Sequence, residues 1–314
     1  CEQVLCIAST KKEAEKIFEL LDGEAMYLST NLCPAHRREI IREMKTRLRD
    51  GKPCRVVSTS IISVGVDIDF PVVYLQYTGL DSLIQGAGRC NREGRQSLQK
   101  SRAHIFWTKE SKKSLFMRKE KQVTDMVRKK YNTKEMTEPS AIRTYFENWY
   151  QSNEGNLDYR EIEKLAQSLS FAEIGKRFHL INDSTKSVFV PFDEKARNIK
   201  EQLMMGNRSR QLMRAAGAYM INVRYSKAQG QSDFMKLLTQ GQIEMFPGDE
   251  NLAYLVNMED YDVELGLKIK SEDGVGIMWQ KEKRNMAGIW SKDRVLGRLC
   301  LLYTTGNESG TSIL

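Results

Sequence analysis

The sequence predicts an α/β fold: a parallel sheet with helices on both faces, then a basic helical linker and a smaller α+β C-terminal domain. Three observations carry that reading. Short, mostly apolar runs alternate with amphipathic stretches over the first hundred residues, as βαβ units require. Those runs lack an exposed polar face, as strands covered on both sides do. Beyond residue 165 the apolar runs become short and irregular, broken by Gly and Pro, and helices mix with strands.

In chain order, Val4–Ser9 is the first strand. Thr10 with Glu13 three residues on is a capping box, and Ala14, Ile17, Phe18 and Leu21 recur at helical spacing up to Gly23. Ala25–Ser29 is a second strand. Pro34 suits the first turn of a helix whose apolar side is Ile40, Ile41, Met44 and Leu48, stopped at Asp50-Gly51. Cys54–Thr59, Val72–Gln76 and Ala103–Thr108 are three further strands, with a helix over Asp81–Asn91 between the last two. Domain bounds follow: 1–110 for the sheet domain, 111–164 for the linker, 165–270 for the accessory domain, and 271–314 with no assigned fold. In the accessory domain the expected elements are a strand at 187–192, a helix running into a strand within Arg208–Arg224, and short apolar segments at Phe234–Leu238, Ile243–Phe246 and Leu252–Val256.

The composition bounds the function. The chain has 314 residues, 40% hydrophobic and 29% charged, with a net charge of +8. No apolar run approaches the ~20 residues of a membrane span, so a cytoplasmic protein with no membrane partner is expected. The six cysteines form no CxxC pair and the three histidines are scattered, which argues against a disulfide scaffold and a His-rich metal site. Residues 89–130 hold 14 Lys and Arg against 4 Asp and Glu, a net of +10, while the remaining residues hold 35 basic and 37 acidic. Charge so confined points to a local anionic partner such as phosphate or nucleic acid; a solvated basic helix is the plainer alternative.

Two patterns carry chemistry. The expected strands end in Ser9-Thr10, Ser29-Thr30 and Ser58-Thr59. Three hydroxyl pairs at the carboxyl ends of one sheet form a rim suited to a nucleic-acid backbone, although each pair alone is ordinary helix capping. The second is DSLIQGAGRCNREGR, residues 81–95. On a continuous helix Gln85, Arg89 and Arg92, at i, i+4 and i+7, share one face. Paired guanidiniums repel unless an anion lies between them, and Arg grips phosphate with a bidentate fork. Gly86 and Gly88 each cost a helix about 1 kcal/mol, so a close backbone approach is expected to offset them.

QGAGRCNR resembles motif VI of superfamily 2 helicases, Val57–Phe70 resembles their motif V and Val4–Lys12 their motif IV. Together these form a second RecA-like helicase domain. LSTNLCPAHR (28–37), VGVDIDFPVVY (64–74), GLDSLIQGAGRCNREG (79–94), RAAGAYMINV (214–223) and YDVELGL (261–267) are similar to the helicase–nuclease of type I CRISPR systems, in the manner of its C subtype. The resemblance implies that Arg89 and Arg92 are arginine fingers for ATP and that Gln85 positions the γ-phosphate or the attacking water. It implies that Gly65, Asp67 and Gly88 line the ATP side. Ser9, Thr10, Lys11, Ser29, Thr30, Arg37, Ser58 and Thr59 would contact single-stranded DNA, and His36, which with Arg37 matches the family's paired HR, would support that track; a lone His is more often structural. ATP and Mg²⁺ are the implied cofactors, and an RNA-guided surveillance complex is the implied partner.

There are departures from the family pattern. Ser60 and Ser63 stand where motif V usually has Gln and Glu, and Val64 where it has Ala. The sequence contains no GxxxxGK[ST] loop, no DExH motif and no His-Asp nuclease cluster. In the family these precede the matching region, and the chain begins at Cys1, so a C-terminal fragment needing the N-terminal helicase and nuclease domains is expected. The expected function is therefore part of an ATP-driven, 3′-to-5′ single-stranded DNA translocase. The alternative is a nucleic-acid-binding or regulatory module that keeps the helicase fold without catalysis.

Overall fold

The computed structural model describes residues 2–21, 25–97, 100–108, 118–132, 135–178, 185–226 and 232–269. The unassigned tail, 271–314, lies outside them. Five strands, β1 (Gln3–Ile7), β2 (Ala25–Leu28), β3 (Cys54–Ser58), β4 (Val72–Gln76) and β5 (Arg102–Phe106), form one sheet in the order β2-β3-β1-β4-β5. Every pairing is parallel. The mostly apolar runs are explained by burial: Leu5, Val56, Val57, Val73 and Leu75 are all inside. Flanking helices are α1 (Lys11–Glu19), α2 (Pro34–Arg49) and α3 (Leu80–Ala87). The connections after the neighbouring strands β1 and β4 leave in opposite directions, an arrangement that opens a crevice at the carboxyl ends of the strands.

Local chemistry starts α1 as the sequence predicts. Glu13 N–H donates to Thr10 Oγ1 at 3.2 Å, and Thr10 Oγ1 donates to Glu13 Oε2 at 3.1 Å. Gly86 has a packing reason: a Cβ there would lie 2.5 Å from Leu75 Cδ2. Its absence lets α3 press onto β4. The close approach that offsets this glycine is therefore helix against sheet.

The basic segment continues as α4 (Arg118–Lys130) and α5 (Pro139–Ser152). Its patchy apolar face is a packing face. Val123, Val127, Met136, Ala141 and Tyr145 enclose Leu80 of α3 in a small core. Polar ties reinforce it: Tyr77 OH donates to Asp125 Oδ1 at 2.5 Å, Thr124 Oγ1 to Thr78 O at 3.2 Å, and Tyr145 OH to Asp81 Oδ1 at 3.0 Å. Two short helices follow, α6 (Ile162–Gln167) and α7 (Phe171–Arg177), both without buried side chains.

A second, mixed sheet contains β6 (Thr185–Phe189), β7 (Met220–Arg224), β8 (Ile243–Met245) and β9 (Leu252–Leu255) in the order β7-β6-β9-β8. Helices α8 (Glu194–Met204), α9 (Arg210–Ala216) and α10 (Asp233–Thr239) accompany it. Phe189, Leu203, Phe234, Leu237 and Leu255 lie in its core, and so do Cys33 and Ala35 of the first unit. The two units therefore share buried surface. A final hairpin, β10 (Tyr261–Asp262) with β11 (Gly266–Leu267), lies against the loop after β2: Leu267 N–H donates to Asn31 O at 2.9 Å.

Candidate functional site

The structure corrects the helix expected over Asp81–Asn91. It ends at Ala87 and is closed by Gly88, whose N–H donates to Ile84 O at 2.9 Å. Past that point the backbone runs beside residues 69–71 instead. Phe70 N–H donates to Arg89 O at 2.9 Å and Asn91 N–H to Phe70 O at 3.0 Å. Asn91 then takes a left-handed conformation, φ 48°. Tertiary pairing wins over helix propagation here, so Gln85, Arg89 and Arg92 do not share one helical face.

The two arginines consequently occupy different surroundings. Arg89 is buried, 7% exposed. Its Nη1 donates to Val66 O at 2.8 Å and its Nη2 to Ser63 O, while Nε is buried without a hydrogen-bond partner. Burial lowers its pKa, the neighbouring Arg92 lowers it further and Asp67 raises it; a guanidinium stays charged regardless. Arg89 thus ties the Ser63–Val66 turn to the end of α3. Backbone carbonyls receive it, so the Ser at position 63 leaves this contact intact. Arg92 is exposed, and its Nε lies 3.0 Å from Asp67 Oδ1. Gly65 sits beside them at φ 74° with open space around its Cα, a conformation that favours glycine. Gln85 and Gly88 are exposed on the last turn of α3.

The three hydroxyl pairs do come together, because β2, β3 and β1 are neighbours in the sheet and end in register: Leu28 pairs with Ser58, and Ile7 with Ser58. Their hydroxyls differ in availability. Thr10 caps α1. Ser29 Oγ accepts from Asn31 N–H at 3.1 Å, and Ser58 Oγ lies 2.9 Å from Leu28 O. Thr59 is nearly buried, and its N–H donates to Leu28 O at 3.2 Å. Thr30 and Lys11 are exposed, while Ser9 Oγ is buried without a hydrogen-bond partner. Lys11 has its pKa lowered by the desolvation of surrounding protein, partly offset by Glu15 and Asp233, with Arg37 adding to the lowering. Two rim cations from separate elements therefore sense each other.

Sequence reasoning missed the network that holds this rim. Gln76 is buried at the end of β4; its Oε1 accepts from Ser9 N–H at 2.7 Å and its Nε2 donates to Glu13 Oε1 at 2.6 Å. Thr108 Oγ1 also donates to Glu13 Oε1, at 2.8 Å. A Gln at the buried end of an apolar strand was the available signal, since buried amides need partners.

His36 is structural, locked at the start of α2. Tyr261 OH lies 3.0 Å from His36 Nδ1 and accepts from Cys33 N–H at 3.1 Å, and Phe192 stacks on the imidazole at 4.6 Å between ring centroids. Burial lowers the His36 pKa below its ordinary 6.5. The unfolded chain then binds more protons as pH falls through 6.5, so this contribution to stability is present above that value and lost below it. His104 is shifted the same way, by burial and by Arg102. Denaturation between pH 7.5 and 5.5 is expected to show stability falling on acidification, with a smaller fall in His36→Asn; an equal fall in both proteins contradicts the assignment.

Among the described residues, no helix is long and apolar enough to cross a membrane. No cluster of three His, Cys, Asp or Glu side chains placed to hold a metal occurs among them.

Comparison with known proteins follows the same geometry. The family model described as CRISPR-associated nuclease/helicase Cas3, C-terminal, matches residues 1–95. The CRISPR-associated nuclease/helicase Cas3 of Methanothermobacter thermautotrophicus is 26% identical over 188 residues, covering 53% of this chain and 23% of that protein. Its namesake from Haloferax volcanii is 37% identical over 65 residues, covering 21% and 7%. Among solved structures, T. fusca Cas3-ADP aligns with a TM-score of 0.53 at 15% identity, over 84% of this chain and 38% of that one. A structure titled "CRISPR RNA-guided surveillance complex, pre-nicking" aligns with a TM-score of 0.51 at 12% identity, over 84% and 40%. The structural matches show the fold alone, and the chain spans less than a quarter of the curated relatives it matches. Residues 1–95 match the C-terminal part of the Cas3 helicase–nucleases, and the fold built around them is the one the T. fusca Cas3 structure shows.

Proposed function

We propose that this chain supplies one side of an ATP cleft and part of a single-stranded DNA track in a CRISPR-associated translocase. The observation that carries this is the exposed Arg92 guanidinium, held just before the start of β4 beside Asp67 and the open turn at Gly65. A fixed, accessible Arg fork fits a phosphoryl group, and charge developing on a transferring γ-phosphoryl group is what such a fork stabilises. Arg92 would meet the γ-phosphate. Arg89, with its guanidinium on Val66 O and Ser63 O, would act through the Ser63–Val66 turn. Gln85 and Gly88 would border the nucleotide from the end of α3. Bound ATP supplies the free energy for translocation. The carboxylates nearest Arg92 are committed to it, Asp67 to its side chain and Asp69 to its backbone N–H. Mg²⁺ would therefore be held by the facing domain. Loss of DNA-stimulated ATP hydrolysis in Arg92→Ala tests the cleft.

The rim would carry the DNA backbone through Thr30, Lys11 and Arg37, with Ser9, Thr10, Ser29, Ser58 and Thr59 shaping its floor. The surveillance complex as partner is proposed from the similarity of residues 1–95 to Cas3. The basic segment would add non-specific attraction. Neutralising Lys112, Lys113, Arg118, Lys119 and Lys121 together, the first two of which lie outside the described residues, is expected to weaken DNA binding. It should also flatten the salt dependence by about 0.7 log units for each phosphate that is no longer neutralised; an unchanged slope identifies the segment as merely solvated.

Ser60 and Ser63 favour a second reading, a nucleic-acid-binding module without catalysis. Wild-type protein carrying both RecA-like domains that binds DNA but shows no DNA-stimulated ATP turnover decides for it.

A further inference from the structure

We infer that Asp69 is a positioning residue for ATP hydrolysis, one that sets the reach of Arg92 by holding its backbone. This deepens the reading of Arg92 as the group that meets the γ-phosphate, and it rests on that reading.

The argument begins with the turn that carries Arg92. Asn91 is left-handed at φ 48° and Gly94 at φ 64°, and Gly94 N–H closes the turn on Asn91 O at 3.0 Å. Asn91 also reaches forward: its Nδ2 donates to Gln96 O and its Oδ1 accepts from Gln96 N–H, both at 2.9 Å. Those bonds shape the turn but do not place it against the sheet. Asp69 does. Its Oδ1 accepts from Arg92 N–H at 2.8 Å and its Oδ2 from Glu93 N–H at 3.3 Å. One carboxylate thus spans two consecutive backbone donors, a charge-assisted arrangement stronger than a neutral one.

Asp69 is itself well placed to act as an anchor. It precedes Phe70, which is fully buried and pairs with Cys90 in a parallel bridge. Its position is therefore fixed by the core, while Arg92 is exposed. Two residues earlier, Asp67 meets the Arg92 side chain at Nε. The two aspartates divide the work. Asp67 contacts the guanidinium, where a phosphate would compete with it. Asp69 contacts only the main chain, where no ligand competes, so it can set Arg92's origin throughout a catalytic cycle. An Arg displaced by about 1 Å loses on the order of 100-fold in rate, which makes the carboxylate at position 69 a determinant of turnover without any contact with nucleotide.

The test is DNA-stimulated ATP hydrolysis by protein carrying this chain together with a first RecA-like domain. Asp69→Ala is expected to lower kcat about 10- to 100-fold, with KM for ATP and affinity for single-stranded DNA within about twofold of wild type. Asp69→Asn, which keeps one acceptor, is expected to fall between the two and serves if the alanine variant does not fold. The deciding arm is a cycle with Arg92→Lys. Because Asp69 acts through Arg92, its substitution is expected to cost less than about threefold further in that background. An equal kcat loss in both backgrounds, or a loss appearing in KM or thermal stability alone, overturns the inference. If Arg92→Lys and Arg92→Ala both leave kcat unchanged, it is the reading of Arg92 that fails; if they lower it while Asp69→Ala does not, only the role of Asp69 fails.

Discussion

Arg92→Ala, in protein carrying both RecA-like domains, is expected to lower the kcat of DNA-stimulated ATP hydrolysis by about 10³ to 10⁵, the range an arginine finger supplies. That corresponds to about 4–7 kcal/mol of transition-state stabilisation. Folding should be unaffected, because the side chain is exposed and its ion pair with Asp67 is exposed too; such pairs contribute at most about 1 kcal/mol. Single-stranded DNA binding should stay within a few-fold, since the rim at the ends of β1, β2 and β3 is built from other residues. Arg89→Ala is a different experiment. It leaves the carbonyls of Ser63 and Val66 without their buried donor, so it should lower both turnover and stability. Collapse of DNA binding in Arg92→Ala, with turnover preserved, contradicts the assignment.

The second large effect is expected at Gly266. Its φ is 81°, and a Cβ there would lie 2.3 Å from Asn31 O and 2.9 Å from Leu32 N. These are backbone atoms, which cannot rotate away as a side chain can. Gly266→Ala therefore combines left-handed strain of about 1–2 kcal/mol with overpacking of about 1–3 kcal/mol. The hairpin that carries Tyr261 should lift from the Asn31–Cys33 loop, releasing the hydrogen bonds at Asn31 O, Cys33 N–H and His36. Because Ser29 and Thr30 immediately precede that loop, DNA affinity should fall together with stability. A melting temperature within about 1 °C of wild type, together with unchanged DNA affinity, contradicts the docking.

Much of the sheet domain is legible in the sequence. Each of the five strands lies where an apolar run predicts it, because strands covered on both faces are mostly apolar, with Arg55, Gln76, Arg102 and His104 too few to obscure the pattern. The capping box at Thr10 and Glu13 and the Pro34 start of α2 are local signals and appear as expected. The motif VI helix was not legible past Ala87. Its end is decided by residues 69–71, some twenty positions earlier, and no propensity records that pairing. Arg89 was misplaced for a related reason: Arg is seldom buried, and only the turn at Ser63–Val66 brings carbonyls to it. The contact between Tyr261 and Cys33 spans 228 residues, beyond any periodicity. Gln76 was visible only as an amide inside an apolar run, and its partners Ser9 and Glu13 come from separate elements.

The central claim is that Arg92 stabilises the transferring γ-phosphoryl group. The most direct measurement compares the affinity of wild-type and Arg92→Ala protein, each carrying both RecA-like domains, for ADP alone and for ADP with a metal-fluoride mimic of that group. A mimic of the transition state draws on interactions that the product lacks. The expected result is ADP affinity within about twofold of wild type and affinity for the mimic reduced by about 100-fold or more. Equal losses for the two ligands, or no loss for the mimic, would contradict the account.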